Sequence, residues 1–363
     1  MPRQLWLWLW SWTFVLGALA GPALAGEDTA PRRALERAFA AQVQQGFSGA
    51  IVIISEDGRA QHFASGEARP GEPYAPDIPA DVGSIAKPVT AMAILRLEQD
   101  DKLSLEDPLQ RWFPTAPADR AGITLRQMLT HTSGLPEYVE GAEDYTPMSE
   151  ADLATRVFSQ PLQFAPGESF GYSNTAYNLL AVIVAKASGR SYADYVEDAV
   201  FAPAGVRGSF DPARFARVAE MRKGGEWTDI RTTAAAARGP FWGLWGAGGL
   251  FVSASDLARL MQAFAQKKIL SLATVEALRE PALPLDERNA AGLVWGLVMS
   301  PSGGWSYYFN SGSQFGTADI RYDPDANVIV SVTANSERPS AIQTGRAIAE
   351  ALLASPEGKA PGS

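Results

Sequence analysis

Apolar and polar positions recur along the chain with periods that mark out its elements. Leu35, Phe39 and Val43 are spaced as on one face of a helix, predicting a helix over 34–46. The run from Phe47 to Ile54 is almost continuously apolar and reads as a buried strand. Glu56-Asp57-Gly58 is a turn signal, and Gln61 to Ala64 reads as the returning strand of a hairpin. Ser84 to Gln99 predicts a helix, with Val89, Met92 and Leu95 on one face. From about 106 to 235 helices and loops dominate, at Leu125–Thr130, Asp152–Phe158, Ala176–Ala187 and Tyr192–Phe201. After Gly246-Ala247-Gly248-Gly249 a helix is expected over Ala254–Gln266. Short strand-like runs follow at 293–299, 304–310, 315–322 and 327–334, the last two joined by Asp323-Pro324-Asp325-Ala326 as a hairpin turn. A helix over about 340–354 closes the pattern, and 356–363 is a Pro/Gly tail expected to be disordered.

Strands at both ends with helices between them suggest one α+β domain interrupted by a helical insertion. Residues 26–105 and 236–355 would form an antiparallel sheet flanked by helices, and 106–235 an inserted all-helical region. The cleft between the two is the natural ligand site. No internal repeat or low-complexity stretch is visible.

The N-terminus departs from this pattern. Arg3 precedes an apolar run from Leu5 to Ala20, and Ala23-Leu24-Ala25 is a small-x-small cleavage signal. The run is short for a membrane span, which needs about 20 residues. Residues 1–25 therefore read as a signal peptide, Gly26 as the mature start, and the protein as exported to a periplasm or the exterior without a stable membrane anchor. The alternative is an uncleaved anchor. No cysteine follows, so lipidation at that point is excluded.

Composition narrows the chemistry. The chain has 363 residues, 46% hydrophobic and 20% charged, with a net charge of −9, which argues against electrostatic binding of nucleic acid. The absence of cysteine removes disulfides, iron–sulfur clusters, thiolate zinc sites and a cysteine nucleophile. Only His62 and His131 are present, so a multi-histidine metal site is not expected. No cofactor is implied.

A covalent mechanism would then fall to Ser, Thr, Lys or a carboxylate. Gly167-Glu168-Ser169-Phe170-Gly171 matches the G-x-S-x-G elbow, but that motif needs a histidine later in the chain, and none follows His131. Ser84-Ile85-Ala86-Lys87 is the better candidate and the only S-x-x-K in the sequence. Residues three apart share a helix face, so the Lys87 amine can approach the Ser84 hydroxyl. A lysine serves as a base when desolvation leaves it partly neutral. Gly83 permits a tight turn before the helix, and the Ser84 N–H sits at the helix's positive end.

Further motifs fall in order around this pair. Leu129-Thr130-His131-Thr132-Ser133-Gly134-Leu135-Pro136 comes first, then Tyr172-Ser173-Asn174 and Gly248-Gly249-Leu250-Phe251-Val252-Ser253-Ala254-Ser255-Asp256-Leu257, and last Asn310-Ser311-Gly312. Over roughly 35–350 the chain resembles the serine β-lactamase and penicillin-binding-protein superfamily, in its class C-like branch of D,D-peptidases, esterases and related hydrolases. The resemblance implies an antiparallel sheet flanked by helices with a second, all-helical region. By motif, it implies Ser84 as the acylated nucleophile, Lys87 as its proton partner and Tyr172 as the second acid/base. Asn174 would bind a substrate carbonyl or amide, and the backbone N–H groups of Ser84 and Ser313 would form the oxyanion hole. Gly312 would let substrate lie against the strand carrying Asn310 and Ser311. A phenol titrates near 10, so Tyr172 could act as a base only if a cation such as Lys87 stabilised its phenolate. Which of the two takes the serine proton stays open at this level, and they form a coupled pair.

Other candidates weigh less. Tyr308-Phe309-Asn310 is a second Y-x-N but lies in an expected strand. His131 is expected to brace a loop, and His62 to be structural or exposed on its strand. Trp242 and Trp245 could either wall a pocket or pack in the core. The family's third motif usually opens with Lys or His, whereas this chain has Asn310. A cation there would hold a substrate carboxylate. Its loss implies weak β-lactam turnover relative to neutral esters unless another cation such as Arg321 substitutes, and Asn310→Lys tests that expectation. Two functions remain in view: a secreted serine hydrolase acting on an ester, amide or peptide, and a non-turnover penicillin- or peptide-binding module using the same cleft.

Overall fold

The computed structural model describes residues 30–232, 239–300 and 302–353. The expected signal peptide, its cleavage point and the 356–363 tail lie outside the described residues.

The N-terminal helix α1 (Ala30–Gln44) leads into strands β1 (Gly49–Ile54) and β2 (Ala60–Ser65). Every residue of β1 is buried, because both faces of its apolar run are covered. Ala50, Val52 and Ile54 point into the main core, while Ile51 and Ile53 point to the opposite side, against Leu35 of α1. β2 alternates exposed and half-buried positions, as suits an edge strand. The hairpin then pairs with the far end of the chain. Strands β7 (Gly296–Met299), β8 (Trp305–Gly312), β9 (Thr317–Asp323) and β10 (Val328–Ala334) form antiparallel neighbours, and β10 docks on β1 with Ile51 opposite Val332.

Several short strands carry too few residues for an alternation signal. β3 (Ala80–Asp81) pairs with β4 (Phe251–Val252), and β5 (Leu283–Pro284) and β6 (Asn289–Ala291) extend the main sheet. The sheet therefore has eight strands in the order β2-β1-β10-β9-β8-β7-β6-β5. The strand expected at 293–299 begins only at Gly296, because Gly292 N–H bonds Trp295 O and turns the chain there.

One sheet face carries α1 and the C-terminal helix α8 (Ala341–Leu353), whose Ala341 and Ile348 pack on Val330 and Val332. The other carries α2 (Ala86–Gln99) and α7 (Ala254–Ala265), with Ser331 donating to Ala254 O at 2.9 Å. The inserted stretch supplies α3 (Leu125–Leu129), α4 (Glu150–Ser159), α5 (Asn174–Ser188) and α6 (Tyr192–Val196). The helix expected over Tyr192–Phe201 widens into a π-helical turn at Glu197–Phe201. This stretch is not purely helical, since Met221–Lys223 pairs with Glu226–Thr228. α5 is buried from Thr175 to Val184 and packs on α2, so one continuous hydrophobic cluster spans the sheet and the helical region.

Asn335, 1% exposed, ties these parts together at the end of β10. Its side-chain amide donates to Glu67 O at 2.9 Å, Ala68 O at 3.2 Å and Glu220 O at 2.8 Å. An unpaired buried carbonyl costs about 1–3 kcal/mol. Asn335→Ala is expected to lower stability by at least that amount in urea unfolding, with secondary structure retained.

Candidate active site

The bridge between β3 and β4, with Val82 N–H on Leu250 O, delivers the chain to Gly83. Gly83 adopts φ +46, and residues 83–85 form a single 3₁₀ turn before α2 begins at Ala86. Ser84 therefore stands one turn ahead of Lys87, on the same side of the helix. Lys87 is 0% exposed. Its Nζ donates to Ser84 Oγ at 3.1 Å, Asn174 Oδ1 at 2.6 Å and Ala247 O at 3.0 Å.

Burial brings the Lys87 amine down to about 7, while the charges of Glu137 and Asp144 pull the other way. The group sits at the start of both α2 and α5, and helix N-termini disfavour positive charge. Near pH 7 the amine is close to half-neutral. In that form two N–H bonds serve Asn174 and Ala247, and the lone pair is left for the Ser84 hydroxyl.

Tyr172 stands beside this pair. The Lys87 nitrogen lies 4.8 Å from its ring centre. Burial pushes the phenol up to about 12, with a hydrogen bond to Ser84 acting in the opposite sense. His131 fixes the ring from behind, its own ring 4.7 Å away. The histidine takes φ +58, and its Nδ1 accepts Ser173 N–H at 3.1 Å. Burial first, then Lys87, hold its imidazole down to about 3, so it is neutral. Ser173 caps α5 by accepting Ala176 N–H at 3.0 Å and donates to Pro136 O at 2.9 Å. The L-T-H-T-S-G-L-P segment thus anchors the chain from Tyr172 to Asn174, and His131 makes no hydrogen bond to Ser84.

The third motif enters from β8. Tyr308 is the last β8 residue paired to β7, so the β7-side edge of the backbone is open from Phe309 to Gly312 and borders the cleft. Ser311 faces Ser84, and its Oγ accepts Ser84 N–H at 2.6 Å. Asn310 pairs with Asp319, placing it on the far face of the sheet with Tyr308 and Arg321. Its side chain makes no hydrogen bond among the described residues. Arg321 is held by Asp319 at 2.7 and 3.0 Å on that far face, so it brings no cation to the cleft.

The expected oxyanion pair is engaged elsewhere. Ser84 N–H is bonded to Ser311, and Ser313 N–H to Gly316 O at 2.8 Å. The Ser313 hydroxyl donates to Asp81 Oδ2 at 3.0 Å, and Asp81 Oδ1 accepts Gly83 N–H at 2.8 Å. Asp81, 3% exposed, clamps the Gly83–Ile85 turn to the end of the third motif, a role sequence reasoning missed. Its position three residues before Ser84, in an apolar stretch, was the available signal.

Ser169 lies on an exposed loop away from the cleft, and His62 is exposed on β2. Trp242 and Trp245 pack edge-to-face at 5.3 Å against the core, while Gly243, Leu244 and Gly248 form the cleft wall. The structure thus brings Ser84, Lys87, Tyr172, Asn174 and Ser311 together, with Gly312 and Ser313 at the rim and the Asn310 side chain behind the sheet. Such a cluster, a serine beside an amine of lowered proton affinity and a protonated phenol, can activate a hydroxyl and protonate a departing group.

Comparison with known proteins agrees. The family model described as Beta-lactamase matches residues 33–354. A penicillin-binding protein of Bacillus subtilis (strain 168) is 31% identical over 294 residues, covering 72% of this chain and 64% of its own length. Esterase EstB of Burkholderia gladioli is 35% identical over 195 residues, 46% of this chain and 49% of that protein. The crystal structure of a penicillin binding protein from Bacillus halodurans shares the fold, with TM-score 0.74 at 22% identity over 89% of this chain and 99% of that one. The chain spans between about half and two thirds of the length of these curated relatives.

A Cβ added at Gly83 would stand 2.5 Å from Ser311 Oγ, at a φ that L residues rarely adopt. Such strain costs about 1–3 kcal/mol. Gly83→Ala is expected to lose that much stability in urea unfolding, and to reduce Ser84 reactivity toward an electrophilic probe as Ser311 is displaced.

Proposed function

The chain belongs to the beta-lactamase family, and we propose that it is an exported serine hydrolase that cleaves an ester, amide or peptide through an acyl-enzyme on Ser84. The observation that carries this reading is the Lys87 amine, brought down to about 7 by burial and placed 3.1 Å from Ser84 Oγ. Neutral Lys87 accepts the Ser84 proton as Oγ bonds to the acyl carbon. The carbonyl oxygen becomes an oxyanion and takes Ser84 N–H, once the Ser311 hydroxyl rotates away from it. A single oxyanion donor is worth about 10²–10³ in rate in other serine enzymes.

Tyr172, raised to about 12, stays a phenol through this step and lies close enough to Ser84 to protonate the leaving group. Its proton is restored from the Lys87 ammonium, and water then attacks the acyl carbon by the reverse route, releasing the acid and Ser84. Lys87 is thus the better first acceptor, and Tyr172 the relay. Export rests on the leader-like segment at 1–25 alone. The second reading, a non-turnover binding module, draws on Asn310 and on the two engaged N–H groups.

Intact mass after treatment with a fluorophosphonate separates the two readings. A single adduct on the wild type, absent in Ser84→Ala, is expected; a folded wild type without adduct would sink the enzyme. The rate of adduct formation should rise with pH through about 7, because the reactive form is Lys87 without its proton. Lys87→Arg keeps the charge and cannot deprotonate near neutrality. It should slow the reaction by about 10²-fold or more, and its rate should no longer rise through that pH range.

A further inference from the structure

We propose that Asp81 is a positioning residue of the acyl-transfer step: its carboxylate keeps the turn carrying Ser84 seated on residues 311–316 when Ser84 N–H leaves Ser311 for the oxyanion. This deepens the hydrolase reading above and rests on it.

Two stretches of backbone, 81–85 and 311–316, meet at the cleft, and glycine lets them touch. A Cβ on Gly83 would stand 2.5 Å from Ser311 Oγ, 3.4 Å from Ser313 Cβ and 3.5 Å from Gly312 O. A Cβ on Gly316 would stand 2.7 Å from Asp81 O. Contact alone does not fix register; directional bonds do. Among the described residues two hydrogen bonds cross between the stretches. Ser84 N–H donates to Ser311 Oγ at 2.6 Å, and Ser313 Oγ donates to Asp81 Oδ2 at 3.0 Å. The first is surrendered in the reaction, because the oxyanion takes Ser84 N–H in place of Ser311. The second is then the bond that holds, at the step where donor placement matters most.

Both ends of that bond are anchored. Asp81 is 3% exposed and sits in β3, paired with Phe251 of β4, so the sheet bridge fixes its main chain. Its Oδ1 accepts the N–H of Gly83, the residue before Ser84, at 2.8 Å. Across the contact, Ser313 Oγ accepts Phe315 N–H at 3.0 Å, and Ser313 N–H bonds Gly316 O at 2.8 Å, which makes 313–316 one tight turn. One carboxylate thus links the residue before Ser84 to the turn that follows the open edge of β8. A misplacement of about 1 Å in a reacting group costs about 10²-fold in rate. In the resting protein the Ser84–Ser311 bond still holds the stretches together. Loss of Asp81 is therefore felt in the chemical step and not in binding.

The test is the saturation kinetics of Ser84 labelling by the fluorophosphonate, read as a maximal rate and a half-saturating concentration, with urea unfolding of each variant alongside. Asp81→Ala should lower the maximal rate at least about tenfold and move the half-saturating concentration less than about twofold. Ser313→Ala cuts the same link from the other side and should slow the reaction comparably. The double variant should be no slower than the slower single one, because the link is lost only once. Asp81→Asn restores the link without the charge. Its Oδ1 accepts Gly83 N–H and its amide donates to Ser313 Oγ, whose hydroxyl turns to Gly316 O, 3.4 Å away. Its maximal rate should stay within about threefold of the wild type. Wild-type maximal rates in both alanine variants would overturn the proposal, as would losses confined to the half-saturating concentration or losses that multiply in the double variant. An asparagine variant as slow as Asp81→Ala would assign the effect to charge and overturn it too. Should Asp81→Ala fail to fold, Ser313→Ala and Asp81→Asn decide by the same criteria. A labelled wild type with unaffected variants removes this inference and leaves the hydrolase reading standing; an unlabelled wild type overturns both.

Discussion

Lys87 holds its amine inside the protein against three oxygen acceptors, with no carboxylate in contact among the described residues. A buried ammonium without a counter-ion is costly, and the usual outcome is a lysine that gives up its proton more readily. The neighbouring structure is arranged around that fact. α2 must begin just before Lys87, so that Ser84 falls in the preceding turn. α5 must begin at Asn174, so that Oδ1 faces the amine. The glycine run must bring Ala247 O to the third donor position. Each of these is a local solution to the same problem of surrounding one nitrogen with three acceptors.

How the fold meets these demands explains several features that look incidental. The two-residue bridge between β3 and β4 is too short to stabilise much alone, yet it fixes where the turn carrying Ser84 begins. Asp81, at its end, joins Gly83 to Ser313 through one carboxylate. Burial pushes that carboxyl up to about 6, so the clamp carries its charge above that pH and weakens below it. His131 does structural work of a similar kind: it stays neutral, accepts Ser173 N–H, and lets its ring support Tyr172.

Elements with strong periodicity were legible from sequence, because a period of two or 3.6 over six or more residues outweighs local noise. β1, α2, α5 and the β8–β10 meander emerged within a few residues of their expected ends. Strands of two or three residues were not legible, since their pairing depends on partners distant in sequence. At the site, Ser84 and Lys87 were singled out by their S-x-x-K spacing, and Tyr172 by the family resemblance. Asn310 shows where spacing stops: adjacent strand residues point to opposite faces, and the open edge puts the backbone at the cleft while the side chain goes behind.

Charge ties recognition to reactivity. Glu137 and Asp144 raise the proton affinity of Lys87, while burial lowers it further in the other direction. An anionic ligand would add to the acids and favour the ammonium, the form that cannot take the serine proton. A cationic ligand against Asp144 would offset the acid's field and place a like charge within reach of Lys87, both of which favour the neutral amine.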